Sequence, residues 1–262
     1  MNATPTTRPV ALITGASGGI GLEFARLAAA AGHDLVLVAR SGARLEEIAG
    51  ELSGQHGITA RTLAADLAEP GAARTVAAAV DGQLPDVLIN NAGVGGQGKF
   101  AVQRQLADDL AMIRLNVLSL VELTGLLLPG MVKRGSGGIL NVSSTAGYLP
   151  GPDQAVYYAS KAFVKSFSEA LTEECRGTGV RVTALCPGPV DTGFAKASGL
   201  SESMLMKAPG KVPAADVARI GWDALAAGRA LVVPGLLMRM AMQSLRLAPR
   251  RMAAGMAGRV NR

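Results

Sequence analysis

Short apolar runs alternate with longer stretches of helical spacing along most of the chain. Residues 10–14, 35–39, 58–64, 86–89, 138–142 and 180–185 are compact and apolar, and each runs into a turn or a polar residue. Such runs predict strands buried on both faces, as in a parallel sheet. A weaker run lies near 230–233. Between them, helices are expected from the glycine turn to about 31, then over 43–55, 70–80, roughly 102–133 and 154–177. This alternation predicts an α/β protein with a doubly wound parallel sheet of about seven strands and helices on both faces. Residues 1–235 are read as one domain. Residues 236–262 form a basic C-terminal extension expected to pack on that domain.

Composition changes this picture little. Of the 262 residues, 49% are apolar and 33 are glycine, which suits a globular α/β chain with tight turns. The stretch before Val10 is short and polar, so no signal peptide is expected, and no run approaches the ~18 consecutive apolar residues of a membrane span. Cys175 and Cys186 lack metal-type spacing and are read as reduced and packed, which implies a cytoplasmic protein. His33 and His56 both fall at predicted element ends. A serine–histidine hydrolase and a histidine-bound metal are therefore not expected.

The net charge of +6 is uneven. From Ala224 onward there are seven arginines and no acidic residue, so the rest carries 19 basic against 20 acidic side chains, or −1. No basic stripe interleaves with aromatics, so nucleic acid is not an expected partner.

The candidate chemistry sits where the strands end. Gly15, Gly19 and Gly21 form a TGxxxGxG turn between the first strand and a helix. Such a turn lets a backbone approach a pyrophosphate, and the helix N-terminus favours its charge. Arg40 follows the second strand, about 20 residues on, where dinucleotide folds read the adenosine ribose. An acidic residue there would select NAD. Arg40 favours a 2′-phosphate, with Ser17 and Ser41 as further donors, and NADP(H) is the expected cofactor. Asp66 ends the third strand, where it can accept from adenine or cap a helix. Asn90 ends the fourth, placed to tie neighbouring backbones and touch ribose. Asn116 falls inside a long helix, which demands hydrogen-bond partners or a held water. Tyr157 and Lys161 are four residues apart, on one helix face. An ammonium beside a phenol favours the phenolate, so the tyrosine is expected to become a usable acid and base.

In this order, TGASGGIG (14–21), NNAG (90–93), Asn116, NVSS (141–144), YYASK (157–161) and PGPVDT (187–192) resemble the short-chain dehydrogenase/reductase family, in its classical branch. The resemblance covers about 9–195. It implies a Rossmann-like fold, a nicotinamide cofactor and hydride transfer to or from a carbonyl or alcohol carbon, with no metal. It implies Tyr157 as catalytic acid and base, with Lys161 lowering its pKa and holding the nicotinamide ribose. Ser144 would bind the substrate oxygen. It is chosen over Ser143 because the family's serine lies thirteen residues before the tyrosine. Asn116 would hold a relay water. Cofactor contacts are implied at Gly15, Ser17, Gly19, Ile20, Gly21, Arg40, Asp66, Asn90, Ala92, Tyr157, Lys161, Pro187, Gly188, Val190 and Thr192. The family's dimers and tetramers imply a homo-oligomer built through the helices of Asn116 and Tyr157.

Residues 193–212 are expected to form a substrate lid with Phe194, Leu200, Met204, Leu205 and Met206, and with Lys196 and Lys207. Arg239, Gln243, Arg246 and Arg250 form a polar stripe on an apolar tail helix over 236–248, ended by Pro249. That helix packs on the body, meets a partner subunit, or touches an anionic membrane. The expected function is NADP(H)-dependent reduction of a lipophilic ketone or aldehyde. The alternatives are reduction of 3-oxoacyl thioesters on a carrier protein or CoA, and an NADP-binding scaffold or sensor with little turnover.

Overall fold

The computed structural model describes residues 8–80, 82–194, 198, 211–245 and 250–261, with only the backbone at 250–253 and 260. Seven parallel strands run in the order β3-β2-β1-β4-β5-β6-β7. They are β1 (Val10–Thr14), β2 (Asp34–Ala39), β3 (Ala60–Ala64), β4 (Val87–Asn90), β5 (Gly137–Val142), β6 (Val180–Leu185) and β7 (Leu231–Val232). Every residue of β1 is buried, because helices cover both faces of the central strand. On one face lie α1 (Gly19–Ala30), α2 (Gly42–His56) and α7 (Ala214–Ala226); on the other, α3 (Ala72–Ala79), α5 (Ser119–Arg134) and α6 (Ala155–Glu174). One apolar core under the first face includes Ile13, Phe24, Leu37, Ile48, Leu140 and Val217. The core under the second includes Leu12, Val76, Leu88, Leu123 and Val182.

The chain order reverses between β1 and β4. In an open parallel sheet that reversal leaves a crevice at the strands' C-terminal ends. Thr14 stitches it: its hydroxyl accepts from the backbone N–H of Asn91 and of Ala92, each at 3.0 Å.

The long helical tract starts later than its sequence suggests. Residues 99–104 form turns closed on the Lys99 carbonyl, and α4 begins at Leu106. α4 (Leu106–Ile113) continues through a π-helical turn at Arg114–Leu118 into α5. The resulting helix, Leu106–Arg134, has 29 residues and an 18-residue stretch of mean hydropathy 1.7, long and apolar enough to cross a membrane. Isolated polar residues still interrupt it, so no consecutive apolar run of that length occurs in the sequence. Its buried side packs on the sheet with Leu123, Leu127 and Met131 in the core.

The extension folds back onto the domain. α8 (Leu236–Ser244) sets Met242 and Met238 against Ala184, Cys186 and Val233 at the end of the sheet. α9 (Arg250–Val260) follows. Arg239 and Gln243 are exposed, while Arg246 and Pro249 lie outside the described residues.

Candidate active site

Six strand ends converge on one cleft of about 680 Å³. β1 contributes Gly15, Ser17, Gly18, Gly19 and Ile20; β2, Arg40 and Ser41; β3, Asp66; β4, Ala92 and Gly93; β5, Ser143 and Ser144; and β6, Pro187, Gly188, Val190 and Thr192. Tyr157 and Lys161 reach it from the first turns of α6.

The turn after β1 has the shape of a phosphate cradle. Gly15 and Gly19 have φ of +66° and +55°, a region that penalises side chains. A Cβ at Gly15 would stand 2.7 Å from Asn91 Nδ2, and one at Gly21 only 2.2 Å from the Gly15 carbonyl oxygen. Gly18 has no neighbour within 4 Å of its Cβ position, so the backbone there faces open space. Gly21 itself does not line the cleft; it lets α1 pack under the turn. Asn91, singled out in the sequence only within its motif, holds the turn by donating to the carbonyls of Thr14 at 2.9 Å and Gly15 at 3.2 Å. These features fit a dinucleotide laid across the switch point, with Arg40 exposed at the end of β2.

Two of the named carboxamides serve the fold. Asn90 is buried and donates to Thr124 Oγ1 at 3.1 Å and Asn141 Oδ1 at 2.9 Å, tying β4 to β5 and α5. It does not line the cleft, so its side chain does not reach a ribose. Asn116 is likewise tied within the protein. It accepts from Val94 N–H at 2.9 Å and donates to Val94 O at 2.9 Å and Ser160 Oγ at 3.0 Å. That pairing locks the strand-end loop to the π-helical turn. Asp66 accepts from Ala68 N–H at 2.9 Å while also lining the adenine side of the cleft.

The two serines separate by direction. Ser143 donates to the Lys161 carbonyl at 2.7 Å and is buried, pinning β5 to α6. Ser144 accepts from Ala146 N–H at 3.1 Å, donates to the Pro187 carbonyl at 3.4 Å, and lines the cleft with Tyr157. Tyr157 is held between Tyr158 and Phe194, at ring separations of 6.1 and 5.8 Å. Gly93 keeps space open beside Lys161: a Cβ there would meet Asn116 Oδ1 at 3.1 Å and Lys161 Nζ at 3.3 Å.

The electrostatics depart from the expected pairing. Burial pushes the Tyr157 phenol up to about 12, and the Ser144 hydroxyl only partly opposes this. Burial lowers the Lys161 ammonium to about 8. The pair was expected to lower the tyrosine, but Lys161 Nζ points to the Val142 carbonyl at 2.9 Å, and desolvation outweighs the shared helix face. Cys186, nearby, is pushed up to about 11 by burial, so it remains a neutral, packed thiol at neutral pH. Among the described residues, no cluster of three or more His, Cys, Asp or Glu side chains is placed to hold a metal ion.

Sequence reading missed one wall. Met238, Met242 and Leu245 of the α8 segment, and Met256 and Ala257 of α9, line the cleft with Leu149, Gln154 and Tyr158. Alternating polar and apolar residues in a tail signal only an amphipathic helix, not the surface it covers. Of the expected lid, Phe194 lines the cleft, whereas Lys196, Leu200, Met204, Leu205, Met206 and Lys207 lie outside the described residues.

Residues 9–203 match the family model for short chain dehydrogenases. The chain belongs to the short-chain dehydrogenase/reductase family, oxidoreductases that use a nicotinamide cofactor. It is 36% identical over 189 residues to a very-long-chain 3-oxoacyl-CoA reductase of Homo sapiens, an alignment covering 71% of this chain and 61% of that protein. The chain thus spans about three fifths of that curated relative's length. Its fold superposes on a short-chain dehydrogenase from Sphingobium yanoikuyae in complex with NADPH, with a TM-score of 0.81 and 31% identity over 94% of this chain and 98% of that one. It also superposes on a short chain dehydrogenase/reductase from Burkholderia phymatum in complex with NAD, with a TM-score of 0.81 and 27% identity over 92% and 94% of the two chains.

Proposed function

We propose that this protein is an NADP(H)-dependent reductase of lipophilic ketones or aldehydes. The observation that carries the cofactor assignment is Arg40 at the end of β2, on the cleft, flanked by Ser41 and facing the turn of Ser17. A guanidinium there suits a 2′-phosphate and offers a 2′-hydroxyl no acceptor. Support for an apolar substrate comes from Leu149, Phe194, Met238, Met242 and Leu245 around the inner cleft. The 36% identity to a very-long-chain 3-oxoacyl-CoA reductase favours a second reading, in which the carbonyl belongs to a 3-oxoacyl thioester.

When bound, the nicotinamide supplies the hydride. The chain's residues handle the oxygen and the proton. Tyr157 gives its hydroxyl proton to the forming alkoxide. Ser144 donates to the same oxygen and stabilises its charge. Lys161 restores the proton and holds the ribose. Asn116 acts by fixing the loop beside Lys161. The same reading makes the protein a cytoplasmic homo-oligomer. Its supports are two buried free thiols, and exposed Leu118 and Leu126 on the long helix beside exposed Phe163 on α6.

NADPH oxidation and NADH oxidation over a panel of aliphatic and aromatic ketones, steroids, aldehydes and 3-oxoacyl thioesters test this directly. Wild type is expected to prefer NADPH. Arg40→Ala removes charge-assisted hydrogen bonds worth about 1.5–3 kcal/mol, so the NADPH-over-NADH ratio of kcat/KM falls about 10- to 100-fold. Faster turnover with NADH in wild type overturns the assignment. NADPH binding without turnover on any substrate leaves the scaffold reading instead.

The pH profile follows from Lys161. Its ammonium is present below about 8 and is lost above that value. Reduction draws a proton through Lys161 and Tyr157, so its rate falls as pH rises through about 8, while alcohol oxidation rises over the same interval. Profiles in both directions that stay flat from about pH 7 to 9.5 would remove Lys161 from the proton path.

A further inference from the structure

We propose that α9 is a latch over the substrate end of the cleft, fastened by Asn261 to Tyr158 and Pro152, and that α8 and α9 together form the wall that selects an apolar substrate. The proposal rests on reading the inner cleft as the substrate end.

Asn261 is fully buried, and each polar group of its side chain is used. Its Oδ1 accepts from the Tyr158 hydroxyl at 2.9 Å, and its Nδ2 donates to the Pro152 carbonyl at 2.8 Å. Its backbone carbonyl accepts from Gln97 Nε2 at 2.7 Å. One residue therefore joins α9 to three segments that surround the catalytic tyrosine: the loop after β4, the loop before α6, and α6 itself. A carboxamide suits this position because it offers a donor and an acceptor side by side, whereas a carboxylate would lack the donor.

The packing agrees with the hydrogen bonds. Ala257 is buried against Tyr157 and Tyr158, and a Cβ on Gly258 would meet Pro152 at 3.3 Å, so α9 lies close on that loop. The Tyr158 ring is held over Gly151, where a Cβ would stand 2.3 Å from it. Tyr158 is thus a fixed post: its neighbour Tyr157 faces the reacting atoms, and its own hydroxyl faces the latch. With α9 docked, Met256 lines the cleft together with Met238 and Met242 of α8. Methionine side chains adapt to irregular apolar shapes. These helices lie beyond residues 9–203, the stretch that matches the family model.

The test uses the full chain loaded with NADPH, comparing wild type with Asn261→Ala and with Tyr158→Phe. The second variant removes a single hydroxyl and stays informative if the first fails to fold. Amide exchange over 250–261 is expected to speed up at least about tenfold in both, and the Kd of the neutral apolar dye Nile red to rise about tenfold, the scale set by losing one or two buried hydrogen bonds. The Kd of NADPH is expected to stay within about twofold. For 2-decanone, KM is expected to rise about tenfold with kcat within about twofold, whereas KM for 2-butanone hardly moves. Unchanged exchange, unchanged dye affinity, or no dye binding by wild type overturns the latch. So does a joint fall in NADPH affinity and kcat, which would mark Asn261 as a general support of the fold. If neither ketone is reduced while the exchange and dye results hold, the ketone reading fails and the latch stands.

Discussion

Tyr157→Phe should lower kcat for carbonyl reduction by about 10³-fold while the protein stays folded and binds NADPH within about twofold of wild type. The substitution deletes one oxygen and leaves the ring between Tyr158 and Phe194. The ring's packing is therefore kept. What disappears is the phenolic proton donor that lines the cleft with Ser144. Burial makes that donor hard to ionise, with a pKa of about 12, so the hydroxyl carries its proton at neutral pH and is poised to give it away. A phenol this reluctant to ionise needs the alkoxide as its acceptor, which matches the direction of reduction. Steady-state kinetics with the best substrate of the panel, beside NADPH titration and thermal melting, check the prediction. Retained turnover would take Tyr157 out of the chemistry. Lost turnover together with lost NADPH affinity would mean that the ring, and not the hydroxyl, was the essential part.

Gly21→Ala should cost about 3 kcal/mol of folding stability and weaken NADPH about a hundredfold. The added methyl would stand 2.2 Å from the Gly15 carbonyl oxygen and 2.5 Å from Asn91 Nδ2. Neither can yield cheaply. The carbonyl belongs to the turn itself, and the amide is the clamp that holds Thr14 and Gly15. Relief requires α1 to move away, which lifts its N-terminus from the phosphate position. Urea denaturation with and without NADPH separates the two effects. At 100 times the wild-type Kd, NADPH stabilises wild type by about 2.7 kcal/mol, whereas a hundredfold weaker variant gains about 0.4. A variant with the wild-type midpoint and the wild-type NADPH shift would show that close packing under the turn is dispensable.

Much of this was legible in the chain because it depends on neighbours in sequence. The apolar run 10–14 can only be a buried strand. Glycines at 15, 19 and 21 mark a turn that side chains would block. A tyrosine and a lysine four apart must share a helix face. Alternating strands and helices in parallel order bring every strand's C-terminal end to the same edge, so Gly15, Arg40, Asp66, Ser144 and Pro187 meet in one cleft without any further information.

Direction and environment were decided only in three dimensions. Ser143 and Ser144 are adjacent and chemically identical; the register of β5 against α6 turns one onto the Lys161 carbonyl and the other toward Tyr157. Asn90 sits in the same motif as Ala92, yet pleating sends its side chain inward to Asn141 and Thr124. Asn116 falls mid-helix in the sequence, and only the fold brings the loop at Val94 against its carboxamide. Lys161 was placed correctly along its helix, but the proton balance of the Tyr157–Lys161 pair follows desolvation, which depends on everything packed around them. The tail shows the limit most plainly. Its sequence specifies an amphipathic helix, but only long-range contacts, Asn261 with Tyr158 across 103 positions, bring it over the cleft. Sequence spacing sets local periodicity, while solvent exclusion and contact between distant segments exist only once the chain has closed on itself.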